Sequence, residues 1–352
     1  MKAYYRPTGF VDAPFGYDGQ VQRLAGGLTW FSAVEIIERS GGKRVSQRLV
    51  PVSEIDTTHP LWARLTAPRA AIQLGERTVR FSEPSVMAIL NRTPDSFSDG
   101  GRHATDEEAA AAAVAMAAEG AAIIDVGGES TRPGAAEVWE QDEIARVAPV
   151  IERLAKAGVA VSIDTRKSAV MADALSRGAG MVNDVSGLTH DERALETIAN
   201  AGCPVVIMHT QGGPETMQRD PQYEDALLDV YDWLEIRIDA AVAAGIARDK
   251  IIVDPGIGFG KTVRHNLEVL NGLSLFHGLG VPVLLGASRK RIVGALANEA
   301  PVDRRLGGSV ALVMTAIGQG VQMVRVHDVF ESVQAIRVWR GLRDAALSPP
   351  TL

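Results

Sequence analysis

The chain of 352 residues has one cysteine, Cys203, and so cannot close an internal disulfide. That excludes a disulfide-stapled scaffold and points to a reducing cytoplasm. Cys203 stands just before the apolar run PVVIM, where a buried structural thiol is a simpler reading than a nucleophile. No stretch reaches the roughly 18 apolar residues of a membrane span, and MKAYYRPTGF has no charged-then-apolar leader. Positive charge is not in excess: the formal net charge is -7, which argues against a general nucleic-acid surface. The zinc patterns H-E-x-x-H and C-x-x-C are missing, so zinc chemistry has no support. PGIGFGKT looks like a phosphate-cradling loop, but Pro255 stands where a Walker motif needs its first glycine. The glycines at 256, 258 and 260 also miss the G-x-G-x-x-G spacing.

What the chain does have, from residue 85 onward, is a rhythm. Short Val- and Ile-rich runs give way to polar or glycine-rich residues, then to Ala-rich helical stretches. Strands are expected at about 86–90, 122–126, 160–164, 181–184, 204–208, 250–254, 282–286 and 322–326. Helices are expected at 106–120 and 223–245, with glycine caps at Gly120, Gly158, Gly202 and Gly245. Alternating strands and helices imply parallel pairing, in an open doubly wound sheet or a closed barrel. Eight strands over roughly 265 residues favour the barrel, whose usual size is about 250. The expected fold is therefore α/β, a (β/α)8 TIM barrel over residues 70–346, followed by a short tail, 347–352.

Residues 1–69 break the rhythm and are expected to form a small α+β extension. A helix is expected from Phe31 to Arg39, flanked by short strands in YYRPTGFV and KRVSQRLVPVSEI. Residues 70–84 suggest a hairpin leading into the barrel.

Polar residues collect where each barrel strand ends: Asn91, Asp125, Asp164, Asn183 with Asp184, His209, Asp254, the SRKR run (288–291), and Arg325 with His327. In a parallel barrel all of these lie on the carboxyl face, where barrel enzymes place their chemistry. Any one Asp could simply cap a helix or pin a loop. Arg325 and His327, two apart on a strand, share one face, and a buried Arg beside a His suits an anion. Ser288, Arg289 and Lys290 also suit a carboxylate or phosphate.

Taken together, LNRTPDSFSDGG, DVGGESTRPGA, SIDT, NDVSG, GGPETMQ, DPGIGFGKT, GASRKR and RVHDV resemble the bacterial dihydropteroate synthases over about residues 70–345. The resemblance implies a transferase of folate biosynthesis and a sulfonamide target. Such an enzyme condenses 6-hydroxymethyl-7,8-dihydropterin diphosphate with 4-aminobenzoate, through diphosphate loss and attack by the aniline nitrogen. It implies a pterin site at Asp164, Asn183, Asp254 and Lys290, and an aminobenzoate pocket at Thr131, Arg132, Pro133, Phe259, Lys290 and Ser288. It further implies Mg2+ on the diphosphate beside Asn91, with Arg325 and His327 as anion partners. Asp254, Lys290, Arg325 and His327 would carry the catalytic roles. The loop from Thr93 to Asp99 would be mobile, with Phe97 a lid and Gly100-Gly101 a hinge. A homodimer through the outer helices is implied, with small molecules as the other partners. Methyltetrahydrofolate-dependent methyltransferases share the fold, and a non-catalytic pterin-binding paralogue is a further alternative. Arg92 stands where the family usually has Val, Ile257 replaces a common Phe, and TQGG departs from the usual loop. Arg92 either faces solvent or sets a cation beside the diphosphate region.

Overall fold

The computed structural model describes residues 1–93, 105–130, 134–213 and 216–348. Its centre is a ring of eight parallel strands: β7 (Ser85–Asn91), β8 (Ile123–Gly127), β9 (Val161–Asp164), β10 (Met181–Asp184), β11 (Val205–Met208), β12 (Ile251–Asp254), β13 (Leu284–Leu285) and β14 (Met323–Val326). A parallel bridge between Val253 and Val283 joins the ends of the sheet and closes the barrel. Stepping along the registers from Met87 round all eight strands returns to the β7 line at index 79. That is eight residues lower, the shear of a (β/α)8 barrel. β13 is shorter than the run expected from 282 to 286.

The period of two along each strand sorts its residues by height inside the barrel. At the bottom Met87, Ile123, Ala160, Met181, Val206, Ile252, Leu284 and Met323 form one buried cluster. Ile72, Leu74, Val79 and Phe81 join it, so the hairpin β5 (Ile72–Leu74) and β6 (Arg77–Val79) plugs the amino end. Two residues higher the inward positions are Ile89, Asp125, Ser162, Asn183, Met208, Asp254, Gly286 and Arg325. The floor is apolar and the next layer is polar, which places chemistry at the carboxyl end. Outside the ring, strand residues such as Val126, Ile163 and Val253 pack on the helices in a second large cluster.

Helices begin where the sequence offers caps. Thr105 and Glu108 form a reciprocal capping box at the helix Asp106–Glu119. Asp225 caps the helix Ala226–Ala243. Gly120, Gly158, Gly202 and Gly245 all take positive φ at helix ends, as expected.

The extension contains β1 (Lys2–Val11), β2 (Gln22–Arg23), β3 (Trp30–Ser40) and β4 (Lys43–Pro51), with a short helix Pro60–Thr66. The helix expected over Phe31–Arg39 is instead the central strand β3, which pairs with β1, β2 and β4. Two causes explain the difference. Gly41 and Gly42, at φ 56° and 81°, supply the two-residue hairpin turn that joins β3 to β4. Both faces of β3 are also covered, so the strand loses its alternation: Val34 and Ile36 pack toward Leu61 and Leu65, while Ile37 joins the barrel cluster with Tyr4.

Candidate active site

Arg325 rises from β14 at the polar height. Its Nε donates to Asp125 Oδ2 at 2.6 Å and its Nη2 to Asp164 Oδ2 at 2.7 Å. Asn183 Nδ2 donates to the same Asp125 oxygen at 2.8 Å. Four strands thus feed one buried network. Burial alone would lower the Arg325 guanidinium, but Asp125 and Asp164 beside it carry it upward. Burial pushes the Asp164 carboxyl upward, and Arg325 opposes it. The Oδ1 atoms of Asp125 and Asp164 are buried with no hydrogen-bond partner among the described residues.

Across the barrel, Asp254 Oδ1 accepts the backbone N–H of Gly256 at 2.7 Å. Its other oxygen lies 3.2 Å from where a side chain at Gly286 would begin, so this glycine keeps space open between Asp254 and Arg325. Gly127 does the same one layer higher, between Asp164 Oδ2 and Asn91 Oδ1. Two missing side chains therefore leave a slot walled by carboxylates, an amide and a guanidinium. That donor and acceptor set suits a flat ligand edge rich in N–H groups.

Lys290 closes the far side. Its ammonium bonds to the Ile257 carbonyl and lies 4.4 Å from the centre of the Phe259 ring. Burial pushes it down to about 8, with Asp254 opposing. The turn bearing Asp254, Ile257 and Phe259 is braced from behind by Lys261, which meets His209 Nδ1 at 2.8 Å, Gly256 O at 2.9 Å and Phe259 O at 3.1 Å. Gly256 is obligatory here, because an added Cβ would stand 1.9 Å from the His209 carbonyl oxygen. His209 is thus a member of this brace, and burial lowers its pKa.

Ser288 Oγ accepts the backbone N–H of His327 at 3.2 Å and meets its Nδ1 at 3.1 Å. Ser288 therefore positions His327, whatever else it touches. Arg289 pairs with Asp328. Arg92 does not point into solvent: its Nη2 bonds Asp106 Oδ1 at 2.5 Å, at the start of the next helix. Thr131, Arg132, Pro133 and Phe97, with Gly100 and Gly101, lie outside the described residues. Thr93, expected in the mobile loop, is buried. Asp184 caps its own turn, accepting from Ser186 and Leu188, and takes no part in the slot. A separate cavity of about 790 Å3 lies at the rim beside Glu137, Trp139, His190 and Arg193, and contains none of the slot residues.

The sequence profile of the family described as "Pterin binding enzyme" matches residues 87–327. The chain belongs to the pterin-binding enzymes. Among relatives of this family, the dihydropteroate synthase of Escherichia coli K12 is 47% identical over 258 residues, 73% of this chain and 91% of that protein. The Yersinia pestis dihydropteroate synthase, solved with a sulfonamide drug, superposes with a TM-score of 0.75 at 46% identity, covering 78% of this chain and all of that one. The Xanthomonas albilineans dihydropteroate synthase, solved with 4-aminobenzoic acid, gives 0.73 at 43% identity, covering 78% and 98%. The family match begins at Met87, so the whole extension lies outside it.

Asp164, Asn183, Asp254, Lys290, Arg325 and His327 thus come from five strand ends of a pterin-binding barrel, the last two from the same one. Asp125 was counted among the polar strand ends in the sequence but was given no role in the site. The signal was there: it stands two residues after Ile123, which fixes it on the inward face.

Proposed function

We propose that the chain is a dihydropteroate synthase, joining 6-hydroxymethyl-7,8-dihydropterin diphosphate to 4-aminobenzoate with release of diphosphate. The observation that carries this reading is the slot between Gly127 and Gly286, with Asp164, Asn183 and Asp254 as acceptors and Lys290 as donor. A pterin edge presents the complementary donors and acceptors, and a site built for such bonds rejects analogues without them. The identities of 43–47% to named synthases support the same reading.

The reaction breaks the bond from the methylene carbon to the diphosphate oxygen, and that oxygen keeps the electron pair. The pterin carries the resulting positive charge, which the Asp254 carboxylate favours. Arg325, with 18% of its side chain exposed above its two acids, offsets charge on the leaving diphosphate together with His327. The aniline nitrogen of aminobenzoate then forms the new C–N bond and loses a proton to solvent. The contact of Lys290 with the Phe259 ring supports an aminobenzoate subsite at that wall. Asn91 and Asp164, whose oxygens flank Gly127, are hard donors of the kind Mg2+ takes and would hold it there. When bound, it supplies positive charge to the diphosphate.

Among the described residues no helix is long and apolar enough to cross a membrane. A cytoplasmic enzyme accords with the lone buried thiol of Cys203. A homodimer is supported by exposed apolar residues on the outer helices, with Phe330, Val338 and Leu342 eight and four positions apart on one helix and Leu306 on its neighbour. The function is tested by incubating the protein with both substrates and Mg2+ and following 7,8-dihydropteroate by mass. Methyl transfer from methyltetrahydrofolate, without dihydropteroate, would instead identify a methyltransferase.

A further inference from the structure

We infer that Asp125 is a positioning residue that orients the pterin subsite and the leaving-group subsite through a single oxygen. Its Oδ2 takes both the Asn183 amide, at 2.8 Å, and the Arg325 Nε, at 2.6 Å. The side chain is fully buried at the second inward layer of β8, and its contacts run to Asn183 and Arg325. This inference rests on the pterin reading above.

The consequence for Asn183 is directional. An amide can turn either its carbonyl or its amino end toward a ligand. With one Nδ2 proton given to Asp125 the amide is fixed in orientation, its carbonyl oxygen turned away from that acid to accept a ligand N–H. An amide at 125 could offer its own donor to Asn183, and the preference would be lost. For Arg325 the consequence is angular. Nε is held by Asp125 and Nη2 by Asp164, two anchors that fix the guanidinium plane. The remaining protons of the fork then meet an incoming anion in one orientation. Asp164 alone would leave the fork free to rotate about one contact. Because the two duties share an oxygen, loss of Asp125 must disturb ligand affinity and turnover together.

The test compares Asp125→Asn with wild type in melting temperature, in affinity for the pterin diphosphate and in kcat. The variant keeps shape and volume, and Arg325 keeps Asp164, so a melting temperature close to wild type is expected. Pterin diphosphate should bind about tenfold more weakly, and kcat should fall about 30-fold or more, as loss of a charged hydrogen bond implies. In the cycle with Asn183→Ala, the double variant should bind pterin no more weakly than Asn183→Ala alone, because Asp125 acts on affinity through that amide. Should Asp125→Asn fail to fold, the exchanged pair Asp125→Asn with Asn183→Asp restores one acid and one amide. It should bind pterin within about threefold of wild type, since an acceptor again faces the slot, while kcat stays low because the Nε anchor is gone. Wild-type affinity or wild-type kcat in Asp125→Asn, or wild-type kcat in the exchanged pair, would overturn the inference. A wild-type protein that makes no dihydropteroate would instead overturn the functional reading.

Discussion

Arg325 bears the heaviest duty of any single residue, because it binds two buried acids and faces the leaving group. Arg325→Ala removes that charge and leaves Asp125 and Asp164 without their cation. Turnover should fall at least about 100-fold, read as kcat with both substrates saturating. Lys290 makes a pH prediction with a definite sign. Its burial lowers the ammonium to about 8, so the charge is present below that value and lost as pH rises through it. kcat/KM for the pterin diphosphate should therefore decline on the alkaline side of about pH 8, and Lys290→Arg should move that limb out of range. Much at this scale was legible in the sequence, since the period of two carries Met323 to Arg325 to His327 up one face. Arg92 was not legible, because its partner Asp106 is separated from it by fourteen positions and only the fold brings them together.

At the scale of elements, the extension is fastened to the barrel by charge. Asp225, Asp229, Asp232 and Glu235 run along one side of the helix Ala226–Ala243 and its cap. Facing them, Arg44 pairs with Asp225, Arg39 with Asp229 and Asp232, Lys2 with Asp232 and Glu235, and Arg64 with Glu235. Arg39 is the centre of this seam and only 11% exposed, so it is less screened than an ordinary surface cation. Arg39→Ala should cost about 1–3 kcal/mol in urea unfolding, and the cost should shrink in about 1 M salt. The helix that carries the acids was expected from the sequence, but their partners lie in a segment read partly as helix. Apolar residues at 31, 34, 36 and 37 satisfy a helical spacing as well as a strand covered on both faces. The Gly41-Gly42 turn decides between them, and it lies outside the periodic stretch itself. The barrel strands were easier, because each is a short apolar run ending in a polar residue.

For the whole molecule, closure of the barrel brings together residues two hundred positions apart, such as Asp125 and Arg325. No local pattern contains that contact; only the count of strands and their common direction imply it. The outer surface makes a separate prediction. Phe330, Val338 and Leu342 are 55%, 61% and 69% exposed, more apolar surface than one helix of a monomer needs to show. Light scattering should give twice the 37.5 kDa chain mass, and Val338→Asp with Leu342→Asp should halve it. Persistence of the dimer in that double variant would place the interface elsewhere.

The central claim is that the carboxylate-walled slot holds a pterin whose diphosphate leaves as aminobenzoate joins. It is tested most directly by a coupled assay of diphosphate release with and without 4-aminobenzoate, run beside a measurement of 7,8-dihydropteroate. The account predicts that, with both substrates and Mg2+ present, diphosphate and dihydropteroate appear in equal amounts. Tight binding of the pterin diphosphate with no diphosphate released under saturating 4-aminobenzoate would contradict it.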